Sequence, residues 1–367
     1  PPQSLCAMLA LTSRFPTAAL FVMASPSLTA ISRGSRALSH QGGPLARTGR
    51  SQRRQPSLLR GAPADWLVME PMRGGGIRQA SGSSAQDAAG MGGGQALMSG
   101  FSIETTEQGS KDISSFSKIL PAGTPVFIAS LQNTAVANVV ALCKRLKADG
   151  MAPVPHLTAR GIKGAAELDQ ILSQFSSVGV ERVLLISGDY PTPVGDFTSA
   201  IDVCKSGMFT KNGIKQVDIA GHPEGSAKIA NTTAALVEKT EWAKEAGVKM
   251  DIMTQVCFDA GVVSDWCKSL RAAGITNRVN VGVAGPAKLS TLIKFAGMIG
   301  VGPSASMLMS QPGLVAQVAS MNDPATFVSA LSSNIQASPD THGDVGVHMY
   351  SFGGFERTAE WASEKAA

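Results

Sequence analysis

From Gly100 onward, short apolar runs alternate with longer segments in which apolar residues recur every three or four positions. The runs Phe101–Thr105, Pro125–Ser130, Val154–Thr158, Arg182–Ile186, Val217–Ala220, Met250–Gln255, Val279–Val283 and Val347–Phe352 predict strands. Helical period follows each of them, over Ile113–Leu120, Ala135–Ala148, Ala165–Val178, Phe197–Ser206, Thr232–Ala246, Val262–Ala273, Leu289–Met298 and Phe355–Lys365. In Ala135–Ala148, for example, Val136, Val139, Val140, Leu142 and Leu146 make one apolar face. A further helical stretch spans Gly300–Ser338, with an extra segment near Ala325–Asn334. Strands alternating with helices over this length predict an α/β fold, the (β/α)8 TIM barrel. A doubly wound open sheet is the alternative, but no GxGxxG follows the first strand and no P-loop is present.

The apolar runs end in residues with usable chemistry. Gln216–Ala220 reads as a strand and breaks into Gly221-His222-Pro223-Glu224-Gly225 before the next helix. Arg182–Ile186 runs into Ser187-Gly188-Asp189, and Ile252–Gln255 runs into Phe258-Asp259. Val154–Thr158 ends in Ala159-Arg160, and Asn280–Val283 ends in Ala284-Gly285-Pro286. In α/β folds the carboxyl tips of strands are where ligands bind.

Residues 1–98 have a different character. Residues 1–100 hold ten Arg, no Lys and only Asp65, Glu70 and Asp87 as acids, so +7 of the net +5 lies there and −2 remains for residues 101–367. The basic balance of the whole chain therefore belongs to this leader, and no clustered Arg/Lys face for nucleic acid is visible on the rest. An Arg-rich, Ser-rich, acid-poor leader has the make-up of an organelle transit peptide. The expected organisation is a disordered targeting leader and Gly-rich linker over residues 1–98, then one barrel domain over residues 99–367. A mitochondrial (matrix-side) address is favoured over a plastid one. No stretch past residue 100 is long and apolar enough to span a bilayer. Five widely spaced Cys form no CxxC pair, and the barrel His residues show neither HxH nor HExxH spacing, so metal is not expected.

Five strand-tip motifs resemble the methylenetetrahydrofolate reductase family, in that family's order: Pro155-His156-Leu157-Thr158-Ala159-Arg160, Ser187-Gly188-Asp189, Ala220–Gly225, Thr254–Asp259 and Gly282–Pro286. The resemblance covers about Phe101 to Trp361 and is nearest to the short, bacterial-like members. It implies an FAD-dependent reductase. NAD(P)H would reduce the flavin, and methylenetetrahydrofolate would then be reduced to 5-methyltetrahydrofolate.

The same resemblance assigns roles. Glu104 matches the general acid, which needs a pKa raised by a dry pocket to deliver a proton near neutral pH. Asp189 matches the carboxylate beside the flavin ring and the pterin, and Gly188 lets backbone approach the ring. Gln255 matches the residue that pairs with pterin or nicotinamide, and its amide has both donor and acceptor. His156, Thr158, Ser187, His222 and Lys239 match flavin-contacting positions. Ser187 stands where most of the family has Arg. Gly353 and Gly354 fill the place of an Arg that meets the folate tail, with Arg357 as a substitute from the next helix. Thr105 and Thr106 replace the residues that usually follow the acid. Glu224 is read as a brace for its turn, Phe258 as core, and Trp242, Trp266 and Trp361 as packing residues. His348 and Tyr350 share one face of their strand, which leaves core or mouth open.

Two readings follow. One is an organellar reductase of one-carbon and methionine metabolism; a homo-oligomer is compatible with it. The other is a non-catalytic barrel recruited as an accessory subunit of an organellar complex.

Overall fold

The computed structural model describes residues 93–130, 134–188, 190–226, 229, 231–288, 291 and 323–367. Its strands are β1 Ser102–Thr105, β2 Pro125–Ile128, β3 Ala152–Thr158, β4 Arg182–Ile186, β5 Gln216–Gly221, β6 Ile252–Val256, β7 Val279–Ala284 and β8 Val345–Tyr350. They close into one parallel barrel in sequence order, with β1 paired to both β2 and β8. This is the predicted TIM barrel, and closure excludes the open sheet. Helices α1 Val136–Ala148, α2 Ala165–Ser177, α3 Ala200–Cys204, α4 Met208–Lys211, α5 Thr232–Ala246, α6 Ala260–Ala272, α7 Pro324–Gln336, α8 Pro339–His342 and α9 Phe355–Ala366 occupy the connections. No described helix is long and apolar enough to cross a membrane.

Alternation along the strands builds two cores. Ile103, Val126, Leu157, Val183, Leu185, Val217, Ile219, Val281 and Val347 join the cluster under the helices. Phe127, Val154, Leu184 and Met253, with Ile186 against them, fill the barrel interior. Leu97 and Met98, at the end of a helical turn over residues 93–98, are buried in the outer core, so that turn packs with the barrel.

Helix starts follow local chemistry. The Asn231, Asp259 and Asp323 side chains accept backbone N–H groups in the first turns of α5, α6 and α7. Ser199 and Asp202 form a capping box on α3. The helix expected over Phe197–Ser206 is the shorter α3, and Gly207, at φ 74°, separates it from α4, an element outside those expected.

The expected helix Ile113–Leu120 is absent. Only 3-10 turns at Gln108–Ser110 and Phe116–Lys118 occur there. Ile113, Phe116, Ile119 and Leu120 mimic helical spacing, but they pack as separate anchors. Phe116 is buried edge-on to Phe355, at 5.7 Å and 83°, and its N–H donates to Asp149. The expected helix Leu289–Met298, apart from Thr291, and the stretch over residues 299–322 lie outside the described residues.

The amino end of the barrel interior is closed by charge. Arg182 Nε donates to Asp218 Oδ2 at 2.7 Å and its Nη2 to Asp251 Oδ2 at 3.1 Å. Gln216 Nε2 donates to both carboxylates, at 2.9 and 3.0 Å. The guanidinium also lies 5.5 Å from the Phe127 ring centroid. Asp218 is fully buried, and burial pushes its carboxyl up to about 6 despite Arg182. It is still mostly ionised at neutral pH and holds the pair together. Removing one partner of a buried pair strands the other. Asp218→Ala is therefore expected to lose about 3 kcal/mol in urea denaturation at pH 7, and a loss under about 1 kcal/mol contradicts this role.

Candidate active site at the carboxyl mouth of the barrel

Inward-facing positions near the carboxyl ends of β1, β3 and β8 bring three titratable side chains together. Glu104 on β1 is 2% exposed. Its Oε2 lies 3.4 Å from His156 Nε2 on β3 and 4.0 Å from His348 Nε2 on β8. His348 Nδ1 is 2.9 Å from Ser102 Oγ, and the Phe127 ring packs edge-on against both imidazoles. Burial lowers His156 to about 4 and His348 to about 3, so both rings are neutral at pH 7. Burial also pushes the Glu104 carboxyl up to about 7, against the opposing pull of His156. Glu104 Oε1 is buried and has no hydrogen-bond partner. A protonatable oxygen without a partner, on a dry wall, suits an incoming ligand.

The neighbouring tips carry further candidates. Thr158 pairs with Ile186 across β3 and β4, and Arg160 N–H donates to Ser187 O at 3.0 Å. Gly188 has φ 83°, and a Cβ there would stand 3.1 Å from Thr158 Cβ. Thr158, Ser187 and Gly188 therefore form one continuous surface. Asp189 lies outside the described residues. His222 follows β5, and Lys239 lies on α5. Burial lowers the pKa of both, and Lys239 lowers His222 further. Lys239 Nζ donates to Ala235 O at 3.1 Å and pairs with no carboxylate among the described residues. Gln255, half-buried on β6, has its Nε2 3.5 Å from Gly225 O on the His222 loop. Glu224 of that loop accepts from Phe258 N–H at 3.1 Å, so it ties the loop to the start of α6 as a brace.

The sequence model of the methylenetetrahydrofolate reductase family matches residues 101–310. The chain belongs to the methylenetetrahydrofolate reductase family. Among solved structures, an uncharacterized protein from Clostridium thermocellum that binds two copies of 5-methyl-5,6,7,8-tetrahydrofolic acid is similar at 11% identity. That match has a TM-score of 0.48 and covers 75% of this chain and 97% of that one.

Within this reductase-family barrel, several features were not legible as motifs. His348 and Tyr350 both face inward, where His348 completes the shell around Glu104. Arg160 was visible in its motif, but its task is architectural. Its guanidinium donates to Tyr190 O at 2.9 Å, Pro191 O at 2.9 Å and Thr198 O at 3.1 Å, clamping the segment after β4. Five donors in a rigid fork suit that work. Thr105 and Thr106 are buried, and Thr106 Oγ1 accepts Gly109 N–H at 2.8 Å, so they shape the turn after the acid. The expected tail-Arg position is sterically closed. A Cβ at residue 353 would sit 1.9 Å from Pro286 O, and Gly354 has φ 112°. Arg357 is exposed on α9.

The raised carboxyl carries a stability signature. Native Glu104 binds a proton between the ordinary carboxyl value of 4.5 and about 7, where the unfolded chain has released it. This contribution is complete below 4.5 and is lost as pH rises through 7. Glu104→Gln is therefore expected to match wild-type stability near the bottom of that window and to exceed it by on the order of 3 kcal/mol above its top. Denaturant midpoints across pH measure this, and a constant offset between the two proteins contradicts it.

Proposed function

We propose that this chain is an FAD-dependent reductase that takes hydride from NAD(P)H and converts 5,10-methylenetetrahydrofolate to 5-methyltetrahydrofolate. The observation that carries the reading is Glu104, a buried carboxyl pushed up to about 7 with one oxygen unpartnered, at the mouth of a barrel of this family. The donor set also fits a flavin nucleotide. Gly188, at a positive φ, brings its backbone close against Thr158, and a half-buried lysine that pairs with no carboxylate among the described residues suits a phosphate.

On this reading His156, Thr158, Ser187, Gly188, Asp189, His222 and Lys239 hold FAD. Lys239 takes charge recognition where Ser187 cannot. Bound FAD supplies the hydride chemistry between the two substrates. Gln255 offers its amide to nicotinamide and pterin in turn. Glu104 gives its proton to a folate ring nitrogen as the methylene bridge opens. The neutral imidazoles matter here, because an imidazolium at 3.4 Å would stabilise the carboxylate and take the acid out of range. Asp189 steadies the positive charge left on the opened bridge.

Ser187 and the closed Gly353–Gly354 corner favour the second reading, a barrel kept as an accessory subunit of an organellar assembly. One experiment separates the two. With anaerobic stopped-flow spectroscopy, Glu104→Gln should keep flavin reduction by NAD(P)H near the wild-type rate. Folate reduction should fall by about a hundredfold or more. Equal loss in both half-reactions contradicts the acid role. A wild-type protein that neither binds flavin nor oxidises NAD(P)H supports the accessory reading.

A further inference from the structure

The pairing of β6 with β7 shifts register between Met253 and Val256, and Gln255 sits on that irregularity. A bulge normally leaves backbone groups unpaired and the local direction loose. Here side chains take the place of the ladder. Gly282 N–H donates to Thr254 Oγ1 at 2.8 Å, and the same hydroxyl donates to Gln255 O at 2.7 Å. Cys257 Sγ also reaches Gln255 O at 3.1 Å, and Cys257 N–H donates to Gly282 O at 2.9 Å. From β8, Tyr350 Oη donates to Thr254 O at 2.9 Å.

These bonds have a geometric consequence. The carbonyl of Thr254 marks the peptide plane before Gln255, and the carbonyl of Gln255 marks the plane after it. Tyr350 holds the first plane, while Thr254 and Cys257 hold the second. Anchoring both carbonyls restricts φ and ψ of Gln255, and with them the direction of its Cα–Cβ bond. Gly282 makes the arrangement possible. A Cβ there would lie 2.5 Å from Gln255 O and 2.6 Å from Tyr350 Cε2. The Tyr350 ring thus passes over β7 at the one residue without a side chain. Its ring is further held by Phe352, stacked at 5.6 Å, and by His348, edge-on at 4.9 Å. His348 is also the residue that approaches Glu104.

We infer that Thr254 and Tyr350 are positioning residues that aim the Gln255 amide into the barrel mouth through the bulged strand. This rests on the reading of Gln255 as a contact to the folate pterin. Neither side chain touches the ligand in this account, so their effect must pass through Gln255.

A double-mutant cycle on the full chain tests it, read as the Kd for 5-methyltetrahydrofolate by isothermal titration calorimetry. Q255A, Y350F and T254V are each expected to weaken binding by about tenfold. T254S, which keeps the hydroxyl, should stay close to wild type. Y350F/Q255A and T254V/Q255A should bind no more weakly than Q255A alone. Y350F removes one hydroxyl and keeps the ring, so it carries the test if T254V folds poorly. Multiplicative losses in the double variants overturn the inference and leave the reading of Gln255 standing. Wild-type affinity in Y350F and T254V, with Q255A weakened, does the same. Wild-type affinity in Q255A overturns the reading of Gln255 and this inference with it. A wild-type chain that does not bind 5-methyltetrahydrofolate contradicts the proposed function itself.

Discussion

Burial of one carboxyl among uncharged imidazoles is the constraint on which the site depends. Ionising Glu104 in that shell costs free energy, because burial strips its hydration and the neutral imidazoles beside it supply no compensating charge. The two histidines are held neutral by the same burial. The trio therefore settles as a protonatable acid between neutral rings. Ser102, Phe127 and Tyr350 fix the rings by a hydrogen bond and by edge contacts, so the shell cannot relax easily to admit solvent.

The barrel separates two electrostatic regimes along its axis. At the amino end, Arg182 is matched by Asp218 and Asp251, though its charge still helps burial to keep His348 neutral. Phe127 lies between that network and the imidazoles, touching the guanidinium on one side and His348 on the other. After β5 come His222, on its loop, and Lys239, on α5, both lowered by burial. A barrel interior that is ionic at its base and dry under its mouth supports the fold at one end and leaves chemistry to the other.

Much of this was readable from the residues because the signals were local. Strand alternation separates Ile103 and Val126 from Glu104 and Phe127 without reference to anything distant. His156, Ser187, Gly188 and Gln255 lie in the strand-tip motifs that carry the family resemblance, and Glu104 came as its match to the general acid at the end of the first strand. The misread segment was Ile113–Leu120, where apolar spacing of helical period served anchoring instead of a helix. The inward aim of His348 and Tyr350 was undecidable by alternation alone, since β8 supplies no marker of which face meets the core. The bulge at Gln255 left no trace in the sequence, because it arises from Thr254, Gly282 and Tyr350 meeting across three strands. Arg160 showed as a motif residue, but its three carbonyl acceptors come from a loop that only the fold brings near.

The central claim is that Glu104 keeps its proton through the ordinary carboxyl range and releases it only near pH 7. Infrared difference spectroscopy of the purified protein across pH measures this directly, through the carbonyl stretch of a protonated carboxylic acid that is absent from Glu104→Gln. The account predicts a band that persists through the ordinary carboxyl range and titrates near 7. A band that disappears near the unperturbed value of 4.5 would contradict it.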